Sequence, residues 1–66
     1  MNFLSVYRKS KNLTQWDVAI IMKKTDTLIS KWETGKVMPT NEEIVKLCEI
    51  YGVSVRKLFP DLFGDK

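Results

Sequence analysis

The side chains best suited to chemistry lie in a short segment that follows Thr25. They are small or cationic groups that exchange hydrogen bonds: Asp26, Thr27, Ser30 and Lys31. Ile29 and Trp32 are three residues apart and mark the inward side of a helix, so the polar set faces outward. A short helix with such a face fits the major groove of duplex DNA, where base edges offer donors and acceptors. The spacing therefore predicts a DNA-reading surface.

The chain lacks the residues that metal binding, disulfide formation and nucleophilic catalysis require. The chain has no histidine and a single cysteine, Cys48, so it offers no zinc ligand set, no internal disulfide and no Cys–His pair. It also has no glycine-rich phosphate loop. We therefore expect no enzymatic activity, no metal and no cofactor. No long apolar run follows the basic start, so we expect neither a signal peptide nor a membrane partner. The single cysteine suits a reducing cytosol, so we expect a cytoplasmic location.

The charge is unevenly distributed over the 66 residues. Residues 8–36 carry seven basic and three acidic side chains, whereas residues 37–66 carry four basic and five acidic ones. A basic half on a small domain favours a polyanionic partner, although many solvated surfaces are also rich in lysine.

Residues that typically begin or end helices divide the chain into five short predicted helices. Thr14, Thr25, Thr40 and Ser54 are predicted N-caps, and the first and third have an acidic residue three positions later, as in a capping box. Predicted helix one covers residues 3–11, and predicted helix two runs from residue 15 to about 22. Predicted helix three opens at Asp26 and stops at Gly35. Predicted ends are Asn12, Gly35, Gly52 and Pro60.

No segment alternates like a half-buried strand, so the predicted fold class is all-α. We expect a compact five-helix bundle forming one domain over residues 1–66. Its helix-turn-helix covers about 15–34, and helix five with an apolar tail covers about 54–63. The turn Lys23-Lys24-Thr25 is short enough to make helices two and three cross steeply.

A set of spaced motifs resembles the phage Cro/repressor (XRE-type) helix-turn-helix family, whose fold is that of lambda repressor-like DNA-binding domains. The motifs are Arg8, Leu13-Thr14-Gln15, Val18-Ala19, residues 29–35 with Pro39, and residues 51–54 through Leu58-Phe59. The resemblance spans about residues 4–59, and several separate elements agree at once.

The resemblance implies a role for each matching position. Asp26, Thr27 and Lys31 match base-facing positions, with Ser30 beside them. The matched phosphate-binding positions are Gln15, Thr34, Lys36, Thr40 and Asn41. Arg8 and Glu33 match an internal ion pair that ties helix one to the end of helix three.

The chain departs from the family pattern at three positions. Lys23 stands where glycine is usual, which requires a strained or altered turn, and Lys24 replaces an apolar residue, although its stem can still pack. The pair can also be a merely solvated turn, which we favour. Asp26 places a carboxylate near phosphates, where it can accept from cytosine N4 or serve the helix N-terminus.

For several apolar residues, the sequence allows two interpretations, a structural one and a functional one. Trp16 can pack at the edge of the core or stack on DNA or a partner, and we favour packing. Cys48 fits a small buried position better than a redox role. The apolar tail can complete the monomer's core or form an interface between two copies, here called the dimer seam, and we favour the seam. The residues assigned to it are Val55, Leu58, Phe59, Leu62 and Phe63.

These inferences predict a sequence-specific regulator of bacterial or phage transcription that binds double-stranded DNA. A homodimeric repressor on an inverted-repeat operator is the leading hypothesis. The alternative is a protein-binding module, such as the antitoxin of a toxin–antitoxin pair, although no separate toxin-binding tail is visible.

Overall fold

The protein is all-helical over residues 2–63, the range that the computed structural model describes, with side chains described up to Leu62. The helices are α1 (Leu4–Ser10), α2 (Gln15–Met22), α3 (Asp26–Thr34), α4 (Asn41–Tyr51), α5 (Val55–Leu58) and a final 3₁₀ helix (Pro60–Phe63). The prediction of an all-α helix-turn-helix fold is confirmed within this range, and the 3₁₀ turn beginning at Pro60 was not predicted.

Side-chain caps fix where α2, α3 and α4 begin. The Thr14 hydroxyl accepts from the Asp17 N–H at 3.0 Å, and the Asp17 carboxylate accepts from the Thr14 N–H at 2.9 Å. Thr40 forms the same reciprocal box with Glu43, at 3.2 and 2.8 Å. Each cap stabilises its helix by about 1 kcal/mol. Ser54 is the N-cap residue of α5, as predicted, but its side chain makes no cap hydrogen bond.

The ends of the first four helices share one geometry. A left-handed residue directly follows α2, α3 and α4, with φ of 60° at Lys23, 84° at Gly35 and 68° at Gly52. After α1 it comes one residue later, at Asn12 with φ of 59°, because Lys11 intervenes with φ of −97°. In each case the next N–H donates back to the carbonyl five residues earlier: Leu13 to Arg8, Lys24 to Ala19, Lys36 to Lys31, and Val53 to Cys48. The chain thereby satisfies carbonyls that a helix end would otherwise leave unpaired.

The core lies between these helices and is centred on two large aromatic residues. Trp32 is 1% exposed and Tyr51 is 2% exposed. Apolar side chains from α1 to α5 surround them: Leu4, Val18, Ala19, Met22, Ile29, Ile44, Leu47, Leu58 and Phe59. The core thus fixes the crossing of α2 and α3.

Leu58 and Phe59 correct the predicted dimer seam. Their exposed fractions are 0% and 4%, because both side chains fill the monomer's own core. They cannot supply surface to a second subunit while α5 stays folded. Among the members whose side chains are described, Leu62 is 54% exposed and Val55 is half-buried. The Phe63 side chain lies outside the described part of the chain.

Trp16 also corrects the sequence analysis, since it is 61% exposed. Val18, Ala19 and Met22 occupy the inward positions of α2. Trp16 and Ile20 are four residues apart, so they share the outer face instead. The prediction that Trp16 packs at the core edge is therefore wrong.

The first described residues fasten three helices together. The Asn2 carboxamide donates to the Trp32 carbonyl at 2.9 Å, near the end of α3, and accepts from the Leu4 N–H at 3.0 Å. The Phe3 N–H donates to the Leu58 carbonyl at 2.8 Å. Helix α1 consequently starts at Leu4, one residue later than predicted.

Candidate nucleic-acid interface

The outer face of α3 presents a polar surface on a rigid support. Asp26, Thr27 and Lys31 are exposed, and Ser30 is half-buried. Ile29 and Trp32, each 1% exposed, anchor the opposite face of the same helix. The Thr25 hydroxyl accepts from the Leu28 N–H at 3.1 Å and fixes the first turn. Three of the four predicted base-reading side chains are thus fully available to a partner.

Asp26 is the first residue of α3. A carboxylate at that position interacts favourably with the unpaired N–H groups of the helix N-terminus. Its exposed side chain also remains able to accept a hydrogen bond from outside the protein.

Four of the predicted phosphate-binding residues lie from the last residue of α3 to the first residue of α4. Thr34, Lys36, Thr40 and Asn41 are all exposed. The Thr34 hydroxyl donates to the Lys31 carbonyl at 3.3 Å. The Thr40 oxygen is engaged as the cap of α4, which leaves its hydroxyl proton to donate elsewhere.

The Glu33 carboxylate of α3 accepts hydrogen bonds from one side chain of α1 and one of α2. Arg8 donates from Nε to Glu33 Oε2 at 2.7 Å and from Nη2 to Oε1 at 3.3 Å. Gln15 donates from Nε2 to the same Oε1 at 2.9 Å. Arg8 also donates from Nη1 to the Leu13 carbonyl at 2.8 Å, in the connection before α2. One carboxylate therefore links α1, α2 and α3.

This cluster is largely shielded from water. The side chains of Arg8 and Glu33 are 11% and 6% exposed. Burial raises the pKa of the nearby Tyr51 hydroxyl to about 12, the Glu33 charge adds to that rise and the Arg8 charge opposes it. Removal of one member of a buried ion pair is costly, because it strands the other charge.

The turn between α2 and α3 is held in two ways. Lys23 adopts the left-handed conformation that a glycine would adopt more easily. The exposed Lys24 amine lies 3.1 Å from Glu43 Oε2, so the turn is tied to the start of α4. The Thr40 N–H is the main cause that lowers the pKa of Glu43 below its ordinary 4.5, and Lys24 contributes further.

An apolar groove runs between α4 and the 3₁₀ helix, and its volume is about 780 Å³. Val45 and Leu62, 57% and 54% exposed, form its accessible walls. Val55 and Cys48 are half-buried in its lining. Burial and the charge of Glu49 raise the pKa of the Cys48 thiol, in that order, which favours the uncharged form.

Residues 2–63, which the structure describes, contain neither a membrane-spanning helix nor a cluster of metal-ligating side chains. None of the helices there has the length and apolar character required to span a bilayer. The same residues hold no group of three metal-ligating side chains.

These features define a helix-turn-helix DNA-binding domain. A family model described as Helix-turn-helix matches residues 4–58. The chain belongs to this family, in its Cro/C1 (XRE) type. The predicted family is therefore confirmed.

One curated protein resembles the chain over most of its length. The chain is 36% identical over 55 residues to the HTH-type transcriptional activator BcrR of Enterococcus faecalis. The match covers 83% of this chain but only 27% of that protein, so the chain spans about a quarter of its relative. The family match supports DNA binding by this domain. No solved structure matches significantly.

Two polar contacts between distant residues were not predicted from the sequence. The bond from Gln15 to Glu33 joins residues 18 apart, and no local pattern encodes it. The ion pair between Lys24 and Glu43 likewise joins distant positions, the turn after α2 and the first turn of α4. The lysine at position 24, where the family has an apolar residue, was the one feature of the sequence that could have indicated an ion pair there.

Proposed function

We propose that this chain binds double-stranded DNA sequence-specifically and represses transcription as a homodimer on an inverted repeat. The observation that carries the proposal is the outer face of α3. It exposes Asp26, Thr27 and Lys31 while Ile29 and Trp32 fix the helix from behind. A helix so anchored can enter a major groove without losing its own packing.

Bases and phosphates are assigned to different residues. Lys31 is a donor suited to guanine O6 and N7, and Asp26 is an acceptor suited to cytosine N4. Gln15, Lys36 and the exposed connection after α3 bind phosphates on either side. This division gives sequence preference to α3 and general affinity to its surroundings.

The proposed dimer uses the groove between α4 and the 3₁₀ helix. Val45 and Leu62 are 57% and 54% exposed there, so the groove offers apolar surface that a second copy could bury. A seam at this position leaves α3 available to DNA. Two copies related by a twofold axis then reach successive major grooves ~34 Å apart.

For such a dimer, repression is a simpler mode of regulation than activation. Occupancy of an operator that overlaps a promoter excludes polymerase without any further protein contact. In a reporter whose promoter overlaps the operator, expression of this chain is expected to lower the signal, and a raised signal would make it an activator.

Selection of bound duplexes from a random pool tests the proposed DNA binding. The expected result is an enriched inverted repeat with half-sites about one helical turn apart. A parallel selection with Lys57→Ala, which removes a lysine on α5, should return the same site. Enrichment of no sequence would refute specific binding.

A further inference from the structure

The bond between Gln15 and Glu33 joins a proposed phosphate-binding residue to the ion pair inside the domain. We infer that Glu33 is a positioning residue for binding of the DNA backbone. It holds the Gln15 carboxamide so that an N–H, rather than the carbonyl oxygen, faces a phosphate. This inference rests on the proposed function, since it assigns Gln15 a phosphate partner.

The orientation of the amide follows from its partner's charge. Ionised Glu33 only accepts hydrogen bonds, so Gln15 must turn its nitrogen toward it, at 2.9 Å. That nitrogen carries a second N–H, which stays available to an anion. The flipped amide would set its carbonyl oxygen against the carboxylate and lose the bond. The carboxylate therefore selects the rotamer that a phosphate also requires.

Glu33 is itself held too firmly to follow Gln15. Arg8 contacts both of its oxygens, at 2.7 and 3.3 Å, and the Glu33 side chain is 6% exposed. Gln15 is the first residue of α2, whereas Glu33 lies near the end of α3. The backbone contact is thus set by the helix that reads the bases. A side chain ordered before binding loses less conformational freedom on binding.

The test replaces the ion pair without stranding a charge. Arg8→Met with Glu33→Leu keeps the net charge, and apolar replacement of both partners is often neutral or stabilising. Gln15→Ala and the triple variant complete the set. Binding is measured at fixed salt to the selected duplex and to an unrelated duplex, at a temperature where unfolding curves show every variant folded.

We expect the double variant to bind both duplexes about threefold to tenfold more weakly, the range for one hydrogen bond. Gln15→Ala should lose the same factor, and the triple variant should lose no more. Wild-type binding by the double variant, or losses that multiply in the triple variant, would overturn the inference.

A second measurement needs no DNA. Gln15 is the only glutamine in the sequence, so its side-chain amide signals in a ¹⁵N NMR spectrum are readily assigned. Slowed hydrogen exchange relative to the exposed Asn41 amide is expected in the wild type and should be lost in the double variant. Exchange as fast as that of Asn41 in the wild type would refute positioning by Glu33. Slowed exchange with no binding to any duplex would instead refute the proposed function.

Discussion

At the scale of single residues, separate roles in DNA binding are proposed for Lys31 and Lys36. Lys31 lies on α3 between the anchoring residues Ile29 and Trp32, and its side chain is exposed. Lys36 follows the left-handed Gly35 and belongs to the connection. A lysine on the helix can reach a base edge, whereas one in the connection meets the sugar-phosphate backbone.

Lys31→Ala is expected to weaken binding to the selected duplex by about 1–3 kcal/mol and to relax preference at one base pair. Lys36→Ala should weaken all duplexes alike and reduce the salt slope by about 1. Fluorescence anisotropy titrations over a salt series measure both effects. An equal loss with Lys31→Ala on specific and unrelated DNA would reassign Lys31 to a phosphate.

Glu33→Gln is expected to lower the free energy of unfolding by roughly 3 kcal/mol. The change leaves the Arg8 guanidinium, whose side chain is 11% exposed, without a compensating charge. Denaturant unfolding followed by circular dichroism measures the loss. The paired replacement by Met and Leu serves as the control and should recover most of it. A wild-type midpoint for Glu33→Gln would mean that the pair contributes nothing to stability.

At the scale of helices, the ends are determined by short-range chemistry, which explains what the sequence could predict. Thr14 and Thr40 cap helices through residues three positions away, and Gly35 and Gly52 end helices by their own conformation. The contacts of Glu33 with Gln15 and of Lys24 with Glu43 depend on how whole helices pack, so local patterns do not reveal them. The packing of Trp16 was predicted wrongly for a related reason. Helix α2 carries apolar residues on both faces, and the size of Trp16 did not show which face is buried.

Lys23→Gly should stabilise the domain by about 0.5–1 kcal/mol. The left-handed conformation costs a residue with a Cβ roughly 1–2 kcal/mol, and the flexibility of glycine in the unfolded chain offsets part of the gain. Thermal unfolding measures the difference. Gly35→Ala provides the converse control and should destabilise, since its φ is +84° although a Cβ would meet nothing within 4 Å. A loss of stability with Lys23→Gly would contradict this account of the turn.

The capping box of α4 should make stability depend on acid. The pKa of Glu43 is lowered in the folded state, so its contribution is present above its ordinary pKa of 4.5 and is lost as the pH falls through the lower folded value. The difference in free energy of unfolding between the wild type and Glu43→Gln is therefore expected to shrink below pH 4.5. A difference that stays constant through that range would exclude the ionised carboxylate as its source.

At the scale of the whole molecule, the faces are divided between two tasks. The polar surface of α3 is proposed for DNA, and the groove that contains Val45 and Leu62 for a second copy. The sequence identified the first face through its polar residues. It placed the second face partly on Leu58 and Phe59, because an apolar tail gives no sign of which members fold back into the core.

Val45→Ser combined with Leu62→Ser is expected to yield folded monomers that bind the selected duplex far more weakly. Ile20→Ser is a matched control, because Ile20 is 59% exposed but lies on α2. Sedimentation at micromolar concentration, with and without the duplex, measures the assembly state. A wild type that stays monomeric even on its inverted repeat would exclude the dimer.

The claim that α3 reads DNA is tested most directly by titrating the ¹⁵N-labelled domain with the selected duplex and mapping the changes in its amide signals. The largest specific changes are expected at Asp26, Thr27 and Lys31, with smaller ones at Gln15 and Lys36. An unrelated duplex should shift the signals of Gln15 and Lys36 but much less those of α3. Changes confined to the groove of Val45 and Leu62, or α3 signals that do not distinguish the two duplexes, would contradict the account.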